Sequence, residues 1–198
     1  MRRLAIVFLV LALAGAVHWA RQRPIARASG VLVAAEPTQT EPKSRAVIRH
    51  GDFALTPLAD FYIEARVLSR HDYAFDAGSA LAPIDLALGW GRMSDSAVIE
   101  RLDISQSARF FTYHWTDLPP IPPAEIVRSA ANMHLIPANS DVGRDLARVR
   151  VGEIVALRGE LVEARRVDGW HWTSSLTRED RGAGACELVL LDAVERHQ

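Results

Sequence analysis

A chain of 198 residues, 49% hydrophobic and 24% charged, is long enough for one domain with a real core and too short for a second large one once its N-terminal stretch is set aside. The five arginines up to Arg27 stand without an acidic residue among them, which leaves eighteen basic against twenty-four acidic residues, a net charge of −6, for the rest. A mildly acidic body lacks the basic stripe that a nucleic-acid backbone demands, so no nucleic-acid partner is expected.

Residues 4–20, LAIVFLVLALAGAVHWA, follow Met-Arg-Arg and open with fourteen consecutive apolar residues. Ala14-Gly15-Ala16 has the small-x-small spacing of a signal-peptidase site, while Val17, Trp19 and Ala20 extend the run toward the roughly 20 residues of a spanning helix. Trp19 belongs to a residue type that favours the membrane–water boundary. Residues 1–20 are therefore read as a membrane anchor or signal segment, with an N-terminal membrane helix at 4–20. Arg21, Arg23 and Arg27 outnumber Arg2 and Arg3, and charge counting alone would favour the reverse orientation. A short basic start before a single apolar segment is nonetheless the usual export signal. The expected location is thus the inner membrane, single-pass, with the C-terminal domain in the periplasm.

Residues 21–46 contain Pro24, Pro37 and Pro42 among polar residues and read as an extended linker, interrupted by the apolar patch Val31–Ala35. The domain is expected over 47–198. Phe53 to Leu68 alternates in the two-residue period of a half-buried strand. Pro83 to Trp90 is an apolar segment that bends at Gly89-Trp90-Gly91. Ser94 opens a short helix over Asp95–Leu102. Phe110, Phe111, Tyr113 and Trp115 form an aromatic strand, closed by prolines at 119, 120, 122 and 123, and Pro123 starts a second helix near 124–131. Met133 to Ala138 is a short strand, followed by a third helix capped by Asn139 or Ser140 and ending near Val149.

Glu153 to Arg166 reads as a long strand with Gly159 at its middle, and Asp168-Gly169 signals a type I′ hairpin into a return strand, Trp170–Leu176. A further strand follows over Ala185–Glu195. The mid-strand glycine in Val151-Gly152-Glu153-Ile154-Val155-Ala156-Leu157-Arg158-Gly159-Glu160-Leu161 resembles the pattern of OB-type small barrels. The expected fold is α+β: a small antiparallel, OB-like β-barrel with two or three short helices, preceded by the membrane helix. The segments 88–95, 131–138 and 172–180 also resemble a family of uncharacterised bacterial single-pass envelope proteins. That likeness implies no activity and no catalytic residues.

The densest polar group is Ser174, Ser175, Thr177, Arg178, Glu179 and Asp180. Trp170, Trp172 and Ser174 share one strand face, and His171, Thr173 and Ser175 the other. Two tryptophans in one row either pack on the core or form a stacking platform beside the Arg178/Asp180 loop. Trp170, Trp172, Ser174, Arg178 and Asp180 are the candidate ligand-binding residues, with Arg178 and Asp180 as an ion pair. Asn132 reads as a cap and His134 as a structural hydrogen-bonder. The single cysteine, Cys186, admits no intramolecular disulfide. A rival function is a metal- or thiol-dependent enzyme using His134, His171 and Cys186, with His114 and Glu187 beside them. None of these has the spacing that sets two ligands on one element, so no metal ligand, cofactor or catalytic residue is assigned. The expected function is a membrane-tethered binding or assembly module whose partner is an envelope protein or a small ligand.

Overall fold

A computed structural model of the chain describes residues 15, 23–179, 182 and 184–197. The helix expected at 4–20 lies outside the described residues except for Gly15, and so does Asp180. Among the described residues no helix is long and apolar enough to cross a membrane.

Among the described residues the chain is mainly β-sheet with three short helices, an α+β arrangement. The strands of the described residues are β1 (Thr38–Thr40), β2 (Ile48–His50), β3 (Phe53–Asp72), β4 (Ile84–Gly89), β5 (Asp103–Ser107), β6 (Phe110–His114), β7 (Ala130–Pro137), β8 (Ile154–Arg166), β9 (His171–Thr173) and β10 (Glu187–His197). Its helices are α1 (Ser96–Ile99), α2 (Pro123–Arg128) and α3 (Ser140–Leu146). Eight strands form one sheet in the order β1-β3-β4-β7-β10-β8-β9, with β2 also on β3, while β5 and β6 form a separate hairpin. The path closes on itself, because β8 pairs with β3 along its length, from Phe53↔Arg166 to Arg66↔Ile154.

One pairing departs from the expected antiparallel arrangement. β7 and β10 run parallel, Met133 opposite Glu187 and Leu135 opposite Val189. Parallel neighbours require a crossover connection, here supplied by α3, β8 and β9. β7 from Asn132 to Ile136 and the first half of β10 are buried on both faces, which explains the nearly continuous apolar runs Leu188–Leu191 and Met133–Ile136.

Two cores lie on either side of these strands. Phe61, Ile63, Leu86, Leu88, Met133, Leu135, Leu157 and Val189 belong to the larger one. Ile136, Leu188 and Leu190 alternate with them and join Phe53, Leu55, Leu81 and Val162, packed against Trp170 and Trp172. A third cluster, with Met93, Val98, Ile126 and Ala87, lies under the β5–β6 hairpin. Gly159 sits where β8 crosses closest to β10, and a side chain there would run into the Leu190 carbonyl. That explains the mid-strand glycine.

Several elements differ from expectation for local reasons. Asp95, rather than Ser94, caps α1 by accepting from Ala97 N at 2.9 Å. Ser94 turns inward and its Oγ accepts from Leu32 N and Val33 N, both at 3.0 Å. The Asp168-Gly169 turn is not type I′, since only Gly169 has positive φ (91°), and Gly169 N closes it on Arg166 O at 3.1 Å. β9 is shorter than the expected return strand: beyond Thr173, Ser174 N still donates to Val162 O of β8 at 3.0 Å, and Ser175 N then turns to Cys186 O at 3.0 Å. Asn139 caps α3 as read, accepting from Asp141 N and Val142 N.

The described part of the stretch read as a linker is extended but is tied to the domain at several points between residues 25 and 43. Ile25 N donates to Val151 O at 2.8 Å, Ser96 Oγ to Arg27 O at 2.8 Å, and Gly91 N to Val33 O at 2.8 Å. β1 then adds to β3, Thr38 opposite Tyr62.

Candidate functional site

The strongest concentration of chemistry lies outside the main core, on β4 and β7. Asp85 and His134 are register partners there, and both are buried. A carboxylate cannot stay charged without partners in such a place. Asp85 Oδ1 accepts from Arg109 Nη1 at 2.8 Å. Its Oδ2 lies 2.9 Å from His134 Nδ1, a close polar contact that is not aligned as a hydrogen bond.

Arg109 comes from the tip of the β5–β6 hairpin, where Ala108 and Arg109 both hold positive φ (48° and 71°). The tip drives the guanidinium inward. Nε and Nη2 grip Asp76 as a fork, each at 2.8 Å, and Nη1 also donates to Ala82 O at 2.9 Å. The guanidinium carbon lies 3.6 Å above the Tyr73 ring centre and 5.5 Å from that of Trp172. Tyr73 Oη in turn accepts from Arg109 N at 3.0 Å. Two carboxylates, a carbonyl and two aromatic faces thus form a cage shaped for a planar cation.

The electrostatics follow from this packing. Burial works against the charge on Arg109, yet the Asp76 hydrogen bonds and the nearby Asp85 more than offset it and raise its pKa. The same hydrogen bonds from Arg109 hold Asp76 below the usual carboxylate range. Burial pushes the Tyr73 phenol up.

The cage has an aromatic wall and a polar floor. Trp172 packs its ring 4.3 Å from that of His134 and meets Trp170 edge-on at 6.0 Å. Trp170 meets Phe53 at 5.4 Å, and Arg166 lies over both rings. On the other side Asn132 Nδ2 donates to Arg109 O at 3.0 Å, while its Oδ1 accepts from Gln106 Nε2 at 2.6 Å. Cys186 Sγ is 3.9 Å from both Asn132 Nδ2 and Arg109 O.

Of the residues singled out in the sequence, Trp170 and Trp172 are half-buried in this wall. Ser174 is buried and pins two segments, donating to Ser175 O at 2.8 Å and accepting from Leu188 N at 3.0 Å. Arg178 is paired with the buried Glu187, and its Nη2 donates to Gln39 Oε1 at 3.3 Å. Asp180 lies outside the described residues. Asn132 is no cap, since it sits within β7 and ties the hairpin tip to the sheet. His134 meets Asp85. His171 is exposed on β9, on the face opposite to Trp172, so it does not join His134 beneath that ring. His114 is exposed at the far end of β6. Among the described residues no group of three or more His, Cys, Asp and Glu side chains is arranged to hold a metal ion.

Tyr73, Asp76, Asp85 and Arg109 went unread in the sequence. Asp85 had a signal, because a single acid inside Ile84-Asp85-Leu86-Ala87-Leu88 needs a buried partner. Arg109 had none, since its partners are 24 and 33 residues away.

A second feature is a shallow groove of about 320 Å³ on the outer face of β1, β3 and β8, lined by Thr38, Thr40, Tyr62, Arg158, Glu160 and Asp192, among others. Burial first, then the charges of Asp192 and Asp60, raise the Glu160 pKa. No protein-family model, curated protein or solved structure matches this chain with significance.

Proposed function

We propose that this chain is a binding or assembly module, tethered to the inner membrane through residues 4–20 with its domain in the periplasm, and built on a small barrel of the OB type. The closing path β3–β4–β7–β10–β8 supports the barrel. OB-type barrels take ligands on the face of their second and third strands and on the loops after the first and fourth. Here those strands are β4 and β7, which carry Asp85, Asn132 and His134. The loop after β3 carries Tyr73, Phe75 and Asp76, and the connection after β8 carries Trp170, Trp172, Ser174, Arg178 and Asp180.

The coincidence of the ionic cage with both loops on that one face is the observation that carries the function. Phe75, fully exposed, and Phe110, 46% exposed, flank the Asp76–Arg109 fork and offer apolar contacts for an envelope protein. Aromatic side chains, Phe among them, are enriched in such interfaces.

Two measurements test this. A photo-crosslinking residue at 75 or 110, introduced in cells, is expected to give a discrete adduct that the exposed controls at 31 and 47 do not. Equal labelling at all four positions sinks the binding face. An alkaline phosphatase fused to the C-terminus is expected to be active, and an inactive but stable fusion refutes the periplasmic orientation.

A further inference from the structure

Where the chain leaves the domain toward its apolar segment is fixed by specific contacts. Ile25 N donates to Val151 O at 2.8 Å, and the Ile25 carbonyl packs so closely on Gly152 that any side chain at 152 would collide with it. Arg27 fastens the next turn of the strap, Nε to Gly152 O and Nη2 to His197 O, both at 3.0 Å. From Ala20 to Ile25 there are five residues, which reach at most about 18 Å even when fully extended. A membrane entered at residue 20 must then lie within that distance of the Val151–Gly152 turn.

That end of the domain is rich in arginine. Arg150 and Arg196 converge on Glu153, Arg196 Nη2 at 2.5 Å and Arg150 Nε at 3.3 Å from Oε1. Burial would raise the Glu153 pKa, but these two cations and the Arg150 amide hold it below the usual range, so one buried carboxylate sits among them. Arg148 extends from the same turn with 65% of its side chain exposed and only a loose pairing to Asp145 at 3.4 Å. Arg27 and His197 complete the group. Its cations exceed its two acids, Glu153 and Asp145.

We infer that the Val151–Gly152 end of the domain, with Arg148, Arg150 and Arg196, rests on anionic lipid headgroups and fixes how the domain stands on the membrane. The inference rests on the tether proposed above. Lipid is the occupant that connectivity selects, because the strap brings this end to the bilayer surface whatever else the domain binds. Arginines near an anionic surface contribute on the order of 1 kcal/mol each.

The test uses the full-length chain in nanodiscs of phosphatidylcholine alone or with one-quarter phosphatidylglycerol, read by amide hydrogen exchange. Exchange over residues 146–152 and 195–197 is expected to slow at least about fivefold with the anionic lipid, the factor that about 1 kcal/mol corresponds to. Salt at 0.5 M, or Arg148→Glu, should remove the difference. Equal exchange in both lipids, or protection only in native membranes that still hold a partner protein, overturns the headgroup contact while leaving the tether intact. A chain recovered outside the nanodisc fraction, or found by mass to lack its first residues, overturns the tether itself, and the inference falls with it.

Discussion

At the scale of single residues, Arg109 carries the largest expected effect. It is the cation paired with the buried Asp85, and breaking a buried pair on one side typically costs about 3–5 kcal/mol. Arg109→Ala is expected to lower thermal stability by that order, and Arg109→Lys to recover only part of it, because an ammonium cannot fork onto Asp76 while bonding Asp85. The effect should depend on pH. Asp76 has a folded pKa below its unfolded value near about 3.9, so its stabilisation is present above that value and is lost as pH falls through the lower folded one. The stability gap between Arg109→Ala and the native chain should narrow below about pH 4, measured by denaturant midpoints, and a gap constant down to pH 2.5 would refute the ionic origin.

Glu160 predicts the opposite sign. Its pKa is raised, so the folded state holds the proton more tightly and stability declines as pH rises from the unfolded value through the folded one. Glu160→Gln should therefore be more stable than the native chain at neutral pH and indistinguishable from it well below pH 4. A destabilised variant at pH 7 would show that the carboxylate serves a contact beyond its neighbours Asp60 and Asp192.

At the scale of elements, the β5–β6 hairpin is the part least anticipated. Its strand, 110–114, was legible from its aromatic residues, but its partner Asp103–Ser107 was not. The turn between them, Ala108-Arg109, has none of the Gly or Asn that usually signals positive φ. A residue with a Cβ in that region is strained by roughly 1–2 kcal/mol. Ala108→Gly is expected to relieve part of this and raise the melting temperature by a few degrees. A drop would mean that the Ala108 methyl group packs in a way its backbone does not reveal. Other elements were legible because their signals are local. Asn139 caps α3, and the β3 alternation begins at Phe53 as read. Arg70, which donates to the carbonyls of Leu146 at 2.9 Å and Val149 at 2.8 Å, closes that helix from β3 across 76 and 79 residues, beyond the reach of any window.

At the scale of the whole molecule, the N-terminal strap and the closing ladder belong together. Residues 25–40 cross several strands and turns, held by backbone bonds and by Ser94, whose Oγ serves Leu32 N and Val33 N. Ser94→Ala leaves two amides without their acceptor, a loss of about 1–3 kcal/mol for each that stays buried. Amide exchange over 30–35 is expected to accelerate while that of β7 and β10 stays slow. Acceleration across the whole sheet would instead make the strap part of the cooperative core.

The sequence by itself determined the elements whose causes are near neighbours: the long alternating β3, the Asn139 cap, the proline-led α2, the glycine in the middle of β8, and the polarity of the body. Tertiary structure alone decided the rest. The parallel contact of β7 with β10, the return of β8 to β3, and the cage that joins Asp76, Asp85 and Arg109 each depend on residues far apart in the chain. Burial makes an isolated Asp85 intolerable, and only closure of the sheet with the hairpin folded across it supplies the arginine that answers it. The tryptophans were legible as one row, core or platform, but the place of Trp172 beside His134 was set by which strand β9 joined.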